Sequence, residues 1–386
     1  MAVSASAVLL LTSQLLESTS LDLALRLNPL SAEARVKLAI EELTARPVRA
    51  KEAFALARQG QVFHRLDARF LSLAGLAAQQ DEKPKEAEIY FRSALAISPT
   101  ELQALSAILR MDLSNGDNAL AALRLDILTR RWGAQYETYA GLIPAIVSNA
   151  AGFEAVKTMF TVKNARRDLV LYGLLKVDEA TGVAADLVAQ WAGADVPDRA
   201  NLVNQVTGQF LKLKKDQEAY LYYLQYGGVE NRSKSYVNNE NFSVVPDSSP
   251  FDWQLSPQRG VNITLDPNSG ANVQFLDSPV LLDNLSQLLA LVPGKHTLNV
   301  EYSTNLLKTP TPVRLEIACR SGQKLGSISL EPNVIETTKT GIFFEIPQND
   351  CALQRLAITS DKLPESWQNR YSGNIIIRSA KVERVE

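Results

Sequence analysis

This chain of 386 residues contains only two cysteines, two histidines and three methionines, and its formal net charge is −2. Each scarcity excludes something. A zinc site wants three or four Cys/His ligands, and Cys319, Cys351, His64 and His296 are the whole supply. Two histidines far apart leave no room for a serine or cysteine triad of the usual kind. The basic clusters Arg130-Arg131, Arg166-Arg167 and Lys212/Lys214/Lys215 are short and diluted by acidic or apolar neighbours. That is no nucleic-acid footprint. The N-terminal apolar run, Ala7-Val8-Leu9-Leu10-Leu11 followed by Leu15-Leu16, is short of the about 20 residues that span a bilayer. It also has no basic flank or small-residue cleavage site. It reads as the first helix of a helical region or as the remnant of an anchor. Membrane association is expected only if an anchor precedes this chain.

Catalytic signatures are missing too. There is no Gly-x-Ser-x-Gly elbow, no Gly-x-x-x-x-Gly-Lys-[Ser/Thr] loop and no Gly-x-Gly-x-x-Gly after a strand. Carboxylate pairs for glycoside hydrolysis are distinguished only by geometry. The expectation is a protein that is not an enzyme and needs no cofactor.

What is present is ordinary globular material, with 46% hydrophobic and 21% charged residues, in a chain long enough for two substantial domains. From residue 4 to about 227, apolar residues recur at spacings of three and four, as in Leu71, Ala74, Gly75, Ala78 and Leu102, Leu105, Ile108, Leu109. Punctuation such as Asn28-Pro29, Arg46-Pro47, Lys83-Pro84, Ser98-Pro99, Asn115-Gly116 and Val196-Pro197 separates the helices.

Within this region Leu71, Gly75, Ala87, Phe91, Ala94 and Pro99 fall in a specific order. Small residues let two helices approach, an aromatic fills the space between pairs, and a proline ends the second helix. Ala121, Leu125 and Leu128 repeat Ala87, Phe91 and Ala94 one repeat later. The pattern resembles the tetratricopeptide repeat, well over about 68–101 and more loosely on either side. The resemblance implies an α-solenoid whose first helices line a peptide-binding groove. Here the groove residues would be Arg69, Ser72, Leu76, Gln80, Gln103, Ser106 and Arg110. Arg69 and Arg110 would be the candidates to hold an acidic peptide end; the alternative is that they are ordinary exposed arginines.

Between Tyr226 and Asp252 the composition turns rich in Gly, Asn, Ser and Pro. Period-two segments then dominate, among them Val261–Leu265, Asn272–Leu276, His296–Tyr302, Val313–Ile317, Gly341–Ile346, Gln354–Ile358 and Asn374–Ile377. The expected organisation is therefore a multidomain α and β chain. It has a tetratricopeptide-like helical domain over 1–227, a linker over 228–250 and an antiparallel jelly-roll β-sandwich over 251–386.

A second resemblance rests on Asn241-Phe242, Ser249-Pro250-Phe251-Asp252-Trp253, Leu285-Ser286-Gln287-Leu288-Leu289, the Val292-Pro293-Gly294 turn before His296, and the closing Gly373–Ile377. This cadence is similar to carbohydrate-binding modules and galactose-binding-like jelly rolls. It implies aromatic faces that stack on sugars and amides that bind hydroxyls. Trp253, Tyr302, Trp367 and Tyr371 would be the aromatics, with Gln287 and Asn299 as polar company; core packing is the alternative for Trp253. Asp266, Asp277 and Asp283 could ligate a structural calcium, although such residues also form turns. Cys319 and Cys351 could form one disulfide, which would place the module in an oxidising compartment, or remain two buried thiols.

Two functional readings follow. In the first, the chain is a non-catalytic interaction scaffold of the periplasm or cell envelope, resembling accessory proteins of bacterial polysaccharide biosynthesis and export. In the second, the sandwich is a lectin-like module that binds polysaccharide directly, with the helices as a spacer. A cytoplasmic location is the alternative to the envelope.

Overall fold

The computed structural model describes residues 11–160, 166–191, 198–227, 235–246, 248–364 and 366–385. Most of the N-terminal apolar run, part of the linker and Val196-Pro197 lie outside these residues. The chain forms two compact units, Met1–Val177 and Asp178–Glu386. No helix is long and apolar enough to cross a membrane among the described residues.

The first unit is helical. Helices Leu21–Leu27, Ala32–Thr44, Ala50–Phe63, Ala68–Gln80, Pro84–Ile97, Leu102–Ser114 and Asn118–Arg131 follow one another, and shorter ones continue to Leu175. Some of their starts are capped by side chains. Asp67 accepts a hydrogen bond from the Arg69 N–H, Glu101 accepts one from Ala104, and Pro84 stands where no helical donor is needed. Between helices, Ala87, Phe91 and Ala94 are fully buried. A Cβ on Gly75 would lie 2.6 Å from the Phe91 ring, so the aromatic occupies the volume that a side chain at 75 would need. Gly60 and Phe70 repeat the arrangement one helix earlier.

The second unit opens with helices Thr181–Trp191, Arg199–Lys212 and Asp216–Tyr226. Among the described residues ten strands follow: β1 Gln254–Leu255, β2 Val261–Asp266, β3 Gly270–Ser278, β4 Leu285–Leu289, β5 Gly294–Lys308, β6 Val313–Cys319, β7 Lys324–Leu330, β8 Thr338–Ile346, β9 Gln354–Thr359 and β10 Tyr371–Arg384. They form two antiparallel five-stranded sheets, ordered β1-β4-β9-β6-β7 and β2-β3-β10-β5-β8. Alternation sets the faces. On β6, Val313, Leu315, Ile317 and Cys319 are buried while Arg314, Glu316 and Ala318 are partly exposed.

Cys319 and Cys351 are joined in a disulfide that ties the end of β6 to the turn before β9. Next to it, Arg320 pairs with Asp216 and donates to the Leu211 carbonyl (2.9 Å), so the β6–β7 turn grips the last two helices. Phe251 adds an apolar contact, lying 5.1 Å from Tyr220 and 5.3 Å from Tyr223. Helices 181–226 thus belong to the same compact unit as the sandwich. The segment after them covers a sheet edge: Tyr236 N–H donates to the Val382 carbonyl and Ala380 N–H to the Glu240 carbonyl. This protects β10 beyond the point where β3 stops.

His296 is fully buried between Tyr236 and Phe344, each ring 5.7 Å away. Its Nδ1 meets the Gly294 carbonyl at 3.1 Å, and its Nε2 has no hydrogen-bond partner among the described residues. Burial, helped by Arg384, pushes its pKa below the ordinary 6.5. The unfolded chain therefore takes up a proton near pH 6.5 that the folded chain refuses, and stability falls as pH drops below that point. The loss is at most about 1.4 kcal/mol per pH unit. The expected result is an unfolding midpoint that falls between about pH 7 and 5.5 in the native chain and falls less in His296→Phe. Equal falls in both would contradict it.

Candidate functional site

The outer face of the β2-β3-β10-β5-β8 sheet carries a row of amides. Asn262 on β2 stands opposite Gln274 on β3, Gln274 opposite Asn374 on β10, and Asn374 opposite Asn305 on β5. Their strand neighbours Val261, Val273, Phe275 and Ile375 point into the core, so the four amides share the other face. Asn262, Gln274 and Asn305 are exposed and Asn374 is half-buried. Among the described residues, none of the four side chains hydrogen-bonds another residue, which leaves their donors and acceptors to solvent or a ligand.

With strands about 4.8 Å apart, the row extends roughly 14 Å across the sheet. A parallel row, Thr264–Asn272–Ile376–Ser303, lies two residues along, and Leu276–Ser372–Lys308 lies on the other side. The face thus alternates amides and hydroxyls with the aliphatic side chains Leu276 and Ile376, and the central row is uncharged.

Trp367 lies at this end of the sheet, on a short 3₁₀ turn that leads into β10. It is 74% exposed, unusual for so large an apolar side chain. The turn is built rather than loose. Ser366 Oγ accepts from Gln368 N–H, Asn369 Nδ2 donates to the Pro364 carbonyl at 2.9 Å, and Arg370 pairs with Asp277 at the end of β3. An indole presented this way, on the turn before β10 begins, offers a flat apolar face to solvent.

The other residues the sequence singled out in this half are placed differently. Trp253 is buried, 4.8 Å from Phe242, with its Nε1 donating to the Asn239 carbonyl. Tyr302 and Tyr371 are also buried; the Tyr302 hydroxyl accepts from Glu331 N–H and the Tyr371 hydroxyl meets Thr311 Oγ1 at 2.8 Å. Gln287 is buried and spends its amide on both backbone groups of Asn238, at 2.9 Å each. These four are corrections: each is held in the core, where a sugar cannot stack or hydrogen-bond.

Asn299 is exposed on the same outer face as the amide row, in a shallow depression of about 360 Å³ with Gly341, Glu301, Lys339 and Lys381. The three aspartates are not gathered. Asp266 caps the β2–β3 turn, Asp277 pairs with Arg370 and Asp283 pairs with Arg355. No cluster of metal-ligating side chains occurs among the described residues.

On the helical unit, Leu76, Gln103, Ser106 and Arg110 do come together, with Gln79 and Met111, around a groove of about 320 Å³. Gln80 is exposed at the end of its helix but does not line that groove. Arg69 and Ser72 are engaged elsewhere, a correction to their place in a peptide groove. Arg69 pairs with Asp67 at 2.7 Å and Glu33 at 2.9 Å, and these partners raise its pKa above the usual guanidinium value. Ser72 is buried and donates to Glu101.

No protein-family model matches this chain, and no curated protein does. Among solved structures, it is similar to a carbohydrate-binding module of family 4 ("CBM4 structure and function") at 12% identity and a TM-score of 0.30. That match covers 38% of this chain and 98% of the other. It is also similar to TmCBM61 in complex with β-1,4-galactotriose, at 16% identity and a TM-score of 0.26, over 40% of this chain and all of that one. The structure of Naa15/Naa10 bound to HypK-THB is similar at 17% identity and a TM-score of 0.31, over 57% of this chain and 36% of that one.

Proposed function

We propose that the β-sandwich binds a neutral carbohydrate chain across the outer face of the β2-β3-β10-β5-β8 sheet, without catalysis. The observation that carries this reading is the cross-strand row Asn262–Gln274–Asn374–Asn305. Carboxamides both donate and accept, as sugar hydroxyls do, and four in register form a ladder for a ligand lying across the strands. The aliphatic side chains beside the row and the exposed Trp367 supply apolar contact for the C–H faces of a sugar. In this reading the helices carry a protein partner in the groove around Arg110, and the chain works in the cell envelope as an accessory to polysaccharide synthesis or export. The disulfide agrees with an oxidising compartment.

The test is a glycan array with the full chain, run beside Gln274→Ala/Asn374→Ala and Trp367→Ala. The double variant removes two neutral hydrogen-bonding groups worth about 1 kcal/mol each, so affinity should fall at least roughly tenfold. Trp367→Ala should weaken binding too, and neither variant should change the unfolding midpoint appreciably. Wild-type binding that survives both changes, or no binding to any glycan, would refute the reading.

A further inference from the structure

The β8 strand is the outer edge of its sheet, paired on one side only with β5. It runs nine residues, Thr338–Ile346, without a bulge against β5 and without proline. Long flat edges of this kind are templates for another strand, and proteins usually blunt them. Here the blunting is weak. Phe343 is 79% exposed on the outer face, and Ile335, in the loop before the strand, is 85% exposed.

The strand is also complementary to itself. Residues 339, 341, 343 and 345 are exposed on the outer face, while Phe344 and Ile346 are buried. If a second copy runs antiparallel about a two-fold axis at the midpoint, Ile342, then Lys339 of each copy stands opposite Glu345 of the other. Phe343 stands opposite Gly341, twice. Opposite charges facing across strands are favourable, and each exposed Phe343 would gain a cross-strand neighbour where the Asn299 side chain covers Gly341. Moving the axis one residue either way destroys both matches: Lys339 then faces Pro347 or Phe343. Within the chain, Lys339 already pairs with Glu301 and Glu345 stands opposite Lys295, so the charges on this edge are arranged in rows that a second copy would extend.

We propose that this chain forms a two-fold dimer by antiparallel pairing of β8 with β8, centred on Ile342. The two five-stranded sheets become one sheet of ten, with both amide rows on one continuous face. A polysaccharide long enough to reach both rows would then gain avidity without any new contact.

Sedimentation velocity on the full chain without ligand, over a wide concentration range, tests this independently of any sugar. The native chain should show a reversible monomer–dimer equilibrium. Lys339→Glu and Glu345→Lys should each weaken it roughly tenfold, because like charges then face each other at two symmetric places. The double variant K339E/E345K should restore it, since the pair is only reversed, although its contacts within the chain remain disturbed. Phe343→Thr should weaken the dimer while leaving the unfolding midpoint near the native value, as expected for an exposed side chain. A chain that stays monomeric throughout would overturn the proposal. So would a dimer indifferent to all these changes, or one lost in both single variants and not recovered in the double.

Discussion

Replacing Trp253 by alanine is expected to destabilise the second unit by about 4 kcal/mol, the usual cost of emptying a large aromatic site in a core. Trp253 is 1% exposed, packs on Phe242 at 4.8 Å and satisfies the Asn239 carbonyl. Alanine would leave a cavity, while the Asn239 carbonyl would keep its other donor, the Phe242 N–H at 2.9 Å. For a unit of this size the melting temperature should drop on the order of 10 °C. Trp367→Ala, by contrast, should change the stability by no more than about 0.5 kcal/mol, as surface changes usually do. Thermal unfolding of the full chain, read by tryptophan fluorescence and near-ultraviolet dichroism, distinguishes the two. A Trp253→Ala protein with native stability would contradict its assignment to the core.

The second large effect belongs to the helices. Phe91→Ala should cost about 3–5 kcal/mol in the first unit, because Phe91 is wholly buried in the cluster of Ala68, Leu71, Ala87, Ala94 and Ile108. Gly75→Ala should also destabilise, since its new Cβ would lie 2.6 Å from the Phe91 ring and one of the two must move. The two changes should not add. Once Phe91 is reduced to leucine, the Gly75→Ala penalty should shrink, giving a coupling of roughly 1 kcal/mol. Far-ultraviolet dichroism during denaturant unfolding measures it. Strict additivity would mean that glycine and aromatic do not share one space.

These two residues show what the sequence discloses and what it hides. The Gly75–Phe91 spacing is local, set by helix geometry over fewer than twenty residues, and so it can be read directly from the chain. The period-two segments were equally plain, and β2, β3, β5, β6, β8, β9 and β10 contain the segments that showed alternation or a closing apolar run, while β4 was visible only through the resemblance. β7, Lys324–Leu330, was not legible. Its Gly326 and serines interrupt any apolar alternation, and the Ile342 side chain of the other sheet would lie 2.6 Å from a Cβ at Gly326. The strand is also a sheet edge that buries only Ile328 and Leu330.

The site was hidden for a related reason. Asn262 and Gln274 come from one hairpin, but Asn305 and Asn374 come from strands far along the chain, and only the registers of three strand pairs put the four in a row. Alternation marks each as outward-facing, yet no spacing rule links them. Prominent aromatics misled in the opposite direction. Trp253, Tyr302 and Tyr371 resemble sugar platforms by type, but each has a polar tip with an internal partner, the sign of an aromatic committed to a core.

The most direct measurement is a titration of isotope-labelled full chain with an oligosaccharide that the array retains, read from side-chain amide resonances. The carboxamides of Asn262, Gln274, Asn305 and Asn374 should shift together at one saturating concentration, while those of the buried Gln287 and Gln354 stay still. Shifts confined to the other sheet or to the helices, with the four amides unmoved, would contradict the assignment of this face.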